Sequence, residues 1–290
     1  MTTRVSVGLI SLVTALVAAA CGGAQAPAQP QPTPTTPPPA PSASAPAPAA
    51  SAAAPEVFDT DLVPTRITPA PSPMPKVALD TPGPDQFLPP TFLKDYKVRP
   101  NIGRAEGLPK GAYLQLFLDN RPYDKPITDL KSTIKLTELA PDGSLSEGDH
   151  IIAAILCNPN HESIKGQGGV DAHRFTVAKK TPAIDWKSSA PMMILARPHG
   201  TYAGAAADDI LIDFYVLNAL LGQKDNYVHV TLKGPGIKDE KTQNIYEWQP
   251  YSIVSPHDGE YTIRAELMDK NGNPVPGPWN DTTRTFKVAK

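Results

Sequence analysis

The sequence predicts an all-β chain, with two tandem β-sandwich domains following a disordered Pro/Ala-rich linker. Three observations carry this expectation. Proline is over-represented, at 35 of 290 residues, and is concentrated before residue 91. The remainder alternates apolar and polar residues with a period of two between Gly/Pro turns. That remainder also contains an internal repeat.

At the N-terminus, one positive charge (Arg4) precedes an apolar run from Val5 to Val17. Small residues Ala18-Ala19-Ala20 then lead into Cys21, followed by Gly22-Gly23. A basic start, a short apolar core and a small-residue cleavage site form a secretory signal. The apolar run is shorter than the roughly 20 residues needed to span a bilayer. The Cys directly after the small residues resembles the lipobox of bacterial lipoproteins, although Ala18 stands where that family prefers Leu. The resemblance implies cleavage after residue 20, acylation of Cys21 and a membrane anchor. The absence of Asp after Cys21 implies the outer membrane of a Gram-negative cell envelope.

From Gly22 to about Pro55 the chain is almost entirely Ala, Pro, Ser, Thr and Gln, with no charged residue between Arg4 and Glu56. Such a segment cannot bury enough surface to offset its ordering entropy. Its prolines favour an extended spacer of about 3.1 Å per residue. The proline-rich stretch continues to Pro90, so the tether is expected over 21–93, after a signal peptide over 1–20. Phe58, Leu62, Ile67 and Phe87 within it are candidates for local docking.

The sandwiches are expected over 94–180 and 190–290, on four landmarks. Gly148-Asp149-His150-Ile151-Ile152-Ala153 matches Gly259-Glu260-Tyr261-Thr262-Ile263-Arg264. Phe175-Thr176-Val177-Ala178-Lys179 matches Phe286-Lys287-Val288-Ala289-Lys290. Tyr113–Leu118 matches Tyr227–Leu232, and Arg99-Pro100 matches Arg197-Pro198. Val228, Val230 and Leu232 alternate with Tyr227, His229 and Thr231, which is a strand with one buried face. Residues 208–221 begin with Asp208-Asp209 and stop at Gly222, as a capped helix would. The β-branched and aromatic run Ile210–Val216 argues instead for a strand. The closing unit, with Gly259-Glu260-Tyr261, the turn Lys270-Asn271-Gly272-Asn273-Pro274 and Arg284-Thr285-Phe286, resembles the last hairpin of immunoglobulin-like or fibronectin-like domains. That resemblance implies a fold and leaves function open.

A formal net charge of −2 gives no reason to expect nucleic acid as a partner. With Cys21 acylated, Cys157 has no partner for an intramolecular disulfide. No Gly-x-Ser-x-Gly elbow, His-Glu-x-x-His helix or phosphate loop occurs. Cys157 and His161 are the best metal candidates but supply only two ligands, and no cofactor is expected. His161-Glu162-Ser163 holds triad residue types, yet within a single polar loop, where a base cannot sit between nucleophile and orienter. Trp248, Tyr251, Trp279 and Tyr202 lie near turns of the second unit and are the candidate ligand-binding residues, with core packing as the competing role. The expected function is non-catalytic, as a lipid-tethered module binding an envelope protein or serving as a scaffold. Glycan or peptidoglycan recognition by the Trp/Tyr loops is the alternative.

Overall fold

A computed structural model of the chain describes residues 57–179 and 184–290. The strands, in order, are β1 (Asp61–Pro64), β2 (Lys76–Thr81), β3 (Gln86–Leu88), β4 (Lys97–Gly103), β5 (Tyr113–Leu118), β6 (Arg121–Pro122), β7 (Ile134–Lys135), β8 (Gly148–Cys157) and β9 (Val170–Val177). They continue as β10 (Met192–Arg197), β11 (Gly200–Ala203), β12 (Asp209–Leu217), β13 (Tyr227–Lys233), β14 (Lys241–Ile245), β15 (Tyr251–Val254), β16 (Gly259–Met268) and β17 (Asp281–Ala289). Only short 3₁₀ turns accompany them among the described residues, and no helix there is long and apolar enough to cross a membrane.

Two immunoglobulin-like β-sandwiches result. The first packs sheet β2-β4-β7 on sheet β3-β9-β8-β5-β6, and the second packs β1-β15-β12-β10 on β11-β17-β16-β13-β14. Apart from β1, the two orders correspond strand for strand. In each copy the opening strand switches sheets, and its second half pairs parallel with the last strand: β3 with β9, and β11 with β17. The aromatic landmarks also coincide. His150 stacks on Phe175 with ring centroids 5.3 Å apart, and Tyr261 stacks on Phe286 at the same separation. Residues 209–217 form strand β12, as their β-branched composition indicates.

Two sequence expectations are corrected. The Arg-Pro landmarks are not equivalent: Arg99-Pro100 lies inside β4, whereas Arg197-Pro198 marks the switch from β10 to β11. The counterpart of that switch in the first copy is Thr81-Pro82, between β2 and β3. The first sandwich therefore starts near Lys76, within the expected tether. The tether's residues from 61 onward contribute β1, β2 and β3, and all three are edge strands. An edge tolerates proline because the missing N–H need not face a neighbour, so proline content concealed them. The expected signal peptide, the acylated Cys21 and the linker up to residue 56 lie outside the described residues.

Each sandwich has its own core, and a third cluster joins them. In β8, Ile152, Ala154 and Leu156 face the first core. Ile151, Ala153, Ile155 and Cys157 face outward, onto Met192, Ile194, Ala196 and Tyr215 of the second sandwich. In β10 and β12, Met193, Leu195, Ile212 and Phe214 point the other way, into the second core. The outer faces of two sheets are thus buried against each other, and β8 and β10 carry apolar residues on both faces, as does β5 apart from the buried Gln115. Both sandwiches fall within one compact unit, Ala54–Lys290.

Candidate functional site

The loop between β8 and β9 is the hub of the junction. Glu162, Ser163 and Ile164 are each 1% exposed, so this is no solvated hairpin tip. Each polar residue has a separate structural task. Both Glu162 carboxylate oxygens accept from the Thr68 backbone N–H, at 3.0 and 3.1 Å. Lys165 Nζ donates to Ser163 Oγ and to Asp213 Oδ1, each at 2.7 Å, and to the Phe214 carbonyl. Ser163 N–H donates to Asp213 Oδ2 at 3.0 Å. Lys165 belongs to the first sandwich and the fully buried Asp213 to the second. His161 turns away to Tyr113, its Nδ1 lying 2.9 Å from Oη, where Arg197 Nη2 also donates at 3.2 Å. No triad is assembled.

Cys157 and His161 are no better placed for a metal. Burial, and then the nearby Asp213 charge, push the Cys157 thiol up to about 12, so it is not a thiolate at neutral pH. Burial first and Arg197 second hold His161 below its ordinary range. Among the described residues, no group of three or more His, Cys, Asp or Glu side chains is arranged to hold a metal ion.

The four aromatic candidates are not brought together. Trp279 is buried in the junction core at 9% exposure and presents no ring to a ligand. Of the two roles its sequence position left open, core packing is the one it takes, among Tyr113, Phe117 and Met192 of the seam. Tyr202 packs edge-on against Phe286 at 5.9 Å, and its hydroxyl accepts from the His199 N–H. Tyr251 opens β15, where it pairs with Pro64 of β1 and Ile212 of β12. Trp248 alone of the four lines a groove at the junction. Its ring meets Tyr215 edge-on at 4.8 Å. Gly166–Gly168 and Val170 of the first sandwich complete that groove with Leu217 and Leu220 of the second; its volume is about 590 Å³. Leu220 is 74% exposed at its rim.

Sequence reading met Glu162 only as a triad residue type in a polar loop and missed Lys165, Asp213 and Tyr215, because each acts across the junction. The strap from β1 to β2 crosses the same seam: β1 extends the second sandwich, Thr68 is held by Glu162, and β2 enters the first. Replacing Glu162 by Ala leaves the half-buried Thr68 N–H without its partner and is expected to cost about 1 kcal/mol. Urea unfolding reads that loss, and limited proteolysis should cut first near Thr68. Equal stability and an unchanged first cut would show that the strap is held elsewhere.

His199 gives the junction a pH dependence. Burial, followed by Arg197, Arg284 and His161, draws its pKa from 6.5 down to about 3. The unfolded chain therefore binds a proton that the folded chain refuses. Its contribution is complete above pH 6.5 and falls as pH drops toward 3. His199→Gln, which stays neutral, should flatten the decline in unfolding midpoint between pH 7.5 and 4.5.

No family model matches the chain, and no curated protein matches its sequence. Structural similarity is found with fibronectin(III)-like modules of CbhA from Clostridium thermocellum, at 11% identity over 73% of this chain and 93% of that one, with a TM-score of 0.25. A 1.5-MDa bacterial ice-binding adhesin matches at 13% identity over 78% and 67%, with a TM-score of 0.23. The FN1-FN3 domains of chicken CNTN1 match at 11% over 74% and 65%, with a TM-score of 0.25. The class of the protein, a tandem immunoglobulin-like β-sandwich protein, rests on its own sheet orders.

Proposed function

We propose that this chain is a non-catalytic lipoprotein of the bacterial cell envelope, working as a rigid binding module on a tether. Acyl chains on Cys21 anchor it, the Ala/Pro segment sets it off from the outer-membrane surface, and the two sandwiches present one fixed surface to an envelope protein. The observation that carries this reading is the buried apolar seam between the sandwiches. A flexible pair of beads would need no such seam. A fixed pair holds surfaces contributed by both sandwiches in register, which lowers the ordering cost of binding. Trp248 and the exposed Leu220, at a groove built by both sandwiches, favour an apolar protein segment as the contact.

Two experiments test the proposal. Mass spectrometry of the mature protein should find an acylated N-terminal Cys21, and Cys21→Ala should move the protein from the membrane to the soluble fraction. An unmodified thiol there overturns the anchor. Crosslinking in whole cells should capture an envelope protein with the native chain, and capture should fall at least about tenfold with Trp248→Ala and Leu220→Asp, each worth about 1.4 kcal/mol or more at an interface. Quenching of tryptophan fluorescence by peptidoglycan fragments, with no crosslinked protein, would favour glycan recognition instead.

A further inference from the structure

Packing through the seam leaves one outward sheet face on each sandwich, and the two differ in charge. On the second sandwich, Arg264 is bracketed by Asp281 at 2.7 Å and Glu266 at 2.8 Å. On the first, the outward face belongs to sheet β2-β4-β7. Val77, Leu79, Val98 and Ile134 point into the first core. Lys76, Lys97, Arg99 and Lys135 therefore point outward, and all four are exposed. Asp80, at a register shift of β2, is the only acid in the three strands. Lys135 lies 3.7 Å from Asp95, whose side chain is 82% exposed, a contact worth little in water. Among the described residues, Lys76, Lys97 and Arg99 have no carboxylate within ion-pair distance.

Sheet stability does not explain this arrangement. Lys97 and Lys135 are direct cross-strand neighbours, and like charges so placed destabilise a sheet. Lysine on an edge strand discourages pairing with other chains, which accounts for Lys76 on β2 and Lys135 on β7. It does not account for Lys97 and Arg99, because β4 is the central strand. The whole chain is slightly acidic, with 27 Lys and Arg against 29 Asp and Glu, so net charge conceals the local excess. Such an excess sets up a directed field. The residues between the cations are small: Ala78, Asn101 and Gly103 share the face. No bulky side chain there holds a flat surface away, and a plane of anions can approach all four cations together.

We propose that the outward face of sheet β2-β4-β7 docks on the phosphate-bearing headgroups of an anionic lipid surface. The inference goes beyond the protein-binding role and does not depend on it. A lipid tether would raise the local concentration of membrane without supplying the contact. Each Lys or Arg close to an anionic bilayer strengthens binding by roughly fivefold, and salt screens the effect within about 8 Å.

The test uses the chain from Gly22 onward, which keeps both sandwiches and the Ala/Pro segment but carries no acyl group. Co-sedimentation compares pure phosphatidylcholine vesicles with vesicles containing about one-third phosphatidylglycerol. At low salt the anionic vesicles should bind at least about tenfold more tightly, and the difference should fade at high salt. Lys97→Glu/Arg99→Glu should lower anionic binding at least about tenfold. Lys97→Glu alone sets a carboxylate opposite Lys135, so the unfolding midpoint should hold or rise, which separates lost binding from lost fold. Lys270→Glu/Lys287→Glu makes the same charge change at exposed positions of the second sandwich and should alter binding by less than about threefold. Equal binding to neutral and anionic vesicles overturns the proposal. So does anionic binding that survives the Lys97/Arg99 reversal, or that falls equally with the Lys270/Lys287 reversal. A protein that ignores vesicles but captures heparin or duplex DNA serves a different polyanion, which overturns the lipid assignment.

Discussion

Replacing Lys165 by Met should destabilise the protein by about 3–5 kcal/mol, the loss expected when a buried carboxylate is left without its cation. Asp213 has no exposed side-chain surface, and Lys165 has only 10%. With Lys165 gone, Asp213 retains the Ser163 N–H as its partner and loses its charge compensation. Asp213→Leu should be similarly harmful for the converse reason, since an ammonium would then sit against the Phe214 and Tyr215 rings with only Ser163 Oγ and a carbonyl to accept from it. The double variant Lys165→Met/Asp213→Leu should recover most of the loss, because two apolar side chains in an apolar seam leave nothing unpaired. Urea denaturation of the four proteins closes the cycle. Additive single losses, with no recovery in the double variant, would mean that the pair does not interact as an ion pair in solution.

The pair also shows why the junction was hidden from sequence reading. Lys165 sits in a loop of glycines and polar residues that reads as solvent-exposed, and Asp213 interrupts the apolar run of β12 as an outward-facing residue should. Each is locally ordinary, and only the packing of one sandwich on the other joins them. The sandwiches themselves were legible, because strand alternation, Gly/Pro turns and a repeated aromatic position are all local or periodic signals. The edge strands β1 to β3 were not read, although Val77 and Leu79 alternate inward at 3% exposure, because proline density outweighed a short pattern. A usable signal for the seam was nevertheless present. In the second copy, Thr262-Ile263-Arg264-Ala265-Glu266-Leu267 alternates, whereas its counterpart Ile151-Ile152-Ala153-Ala154-Ile155-Leu156 is apolar throughout. A strand apolar on both faces needs cover on both. Met192-Met193-Ile194-Leu195-Ala196 carries the same message from the other side. Of the aromatic candidates, Trp248 and Trp279 could not be told apart in sequence, since tryptophan in a turn region serves a groove or a core equally well.

That difference between the two copies leads to the second large effect. Phe117 is fully buried on the face of β5 turned toward the second sandwich, whereas Phe214 is buried within the second sandwich's own core. Truncation to Ala should cost about 3–5 kcal/mol at either position, but the two losses should take different forms. With the seam intact, the chain from residue 57 onward should melt in one cooperative transition, because unfolding either sandwich exposes the outer sheet of the other. Phe117→Ala removes contact from the seam and leaves both cores filled, so it should split the transition into two, with each sandwich melting on its own. Phe214→Ala weakens one core and keeps the coupling, so the whole unit should melt earlier, still in one step. Calorimetry distinguishes these outcomes through the ratio of calorimetric to van't Hoff enthalpy, which should rise above one for Phe117→Ala only. Two separated transitions in the native protein would show that the apolar seam does not couple the sandwiches, and would remove the rigidity on which the binding role rests.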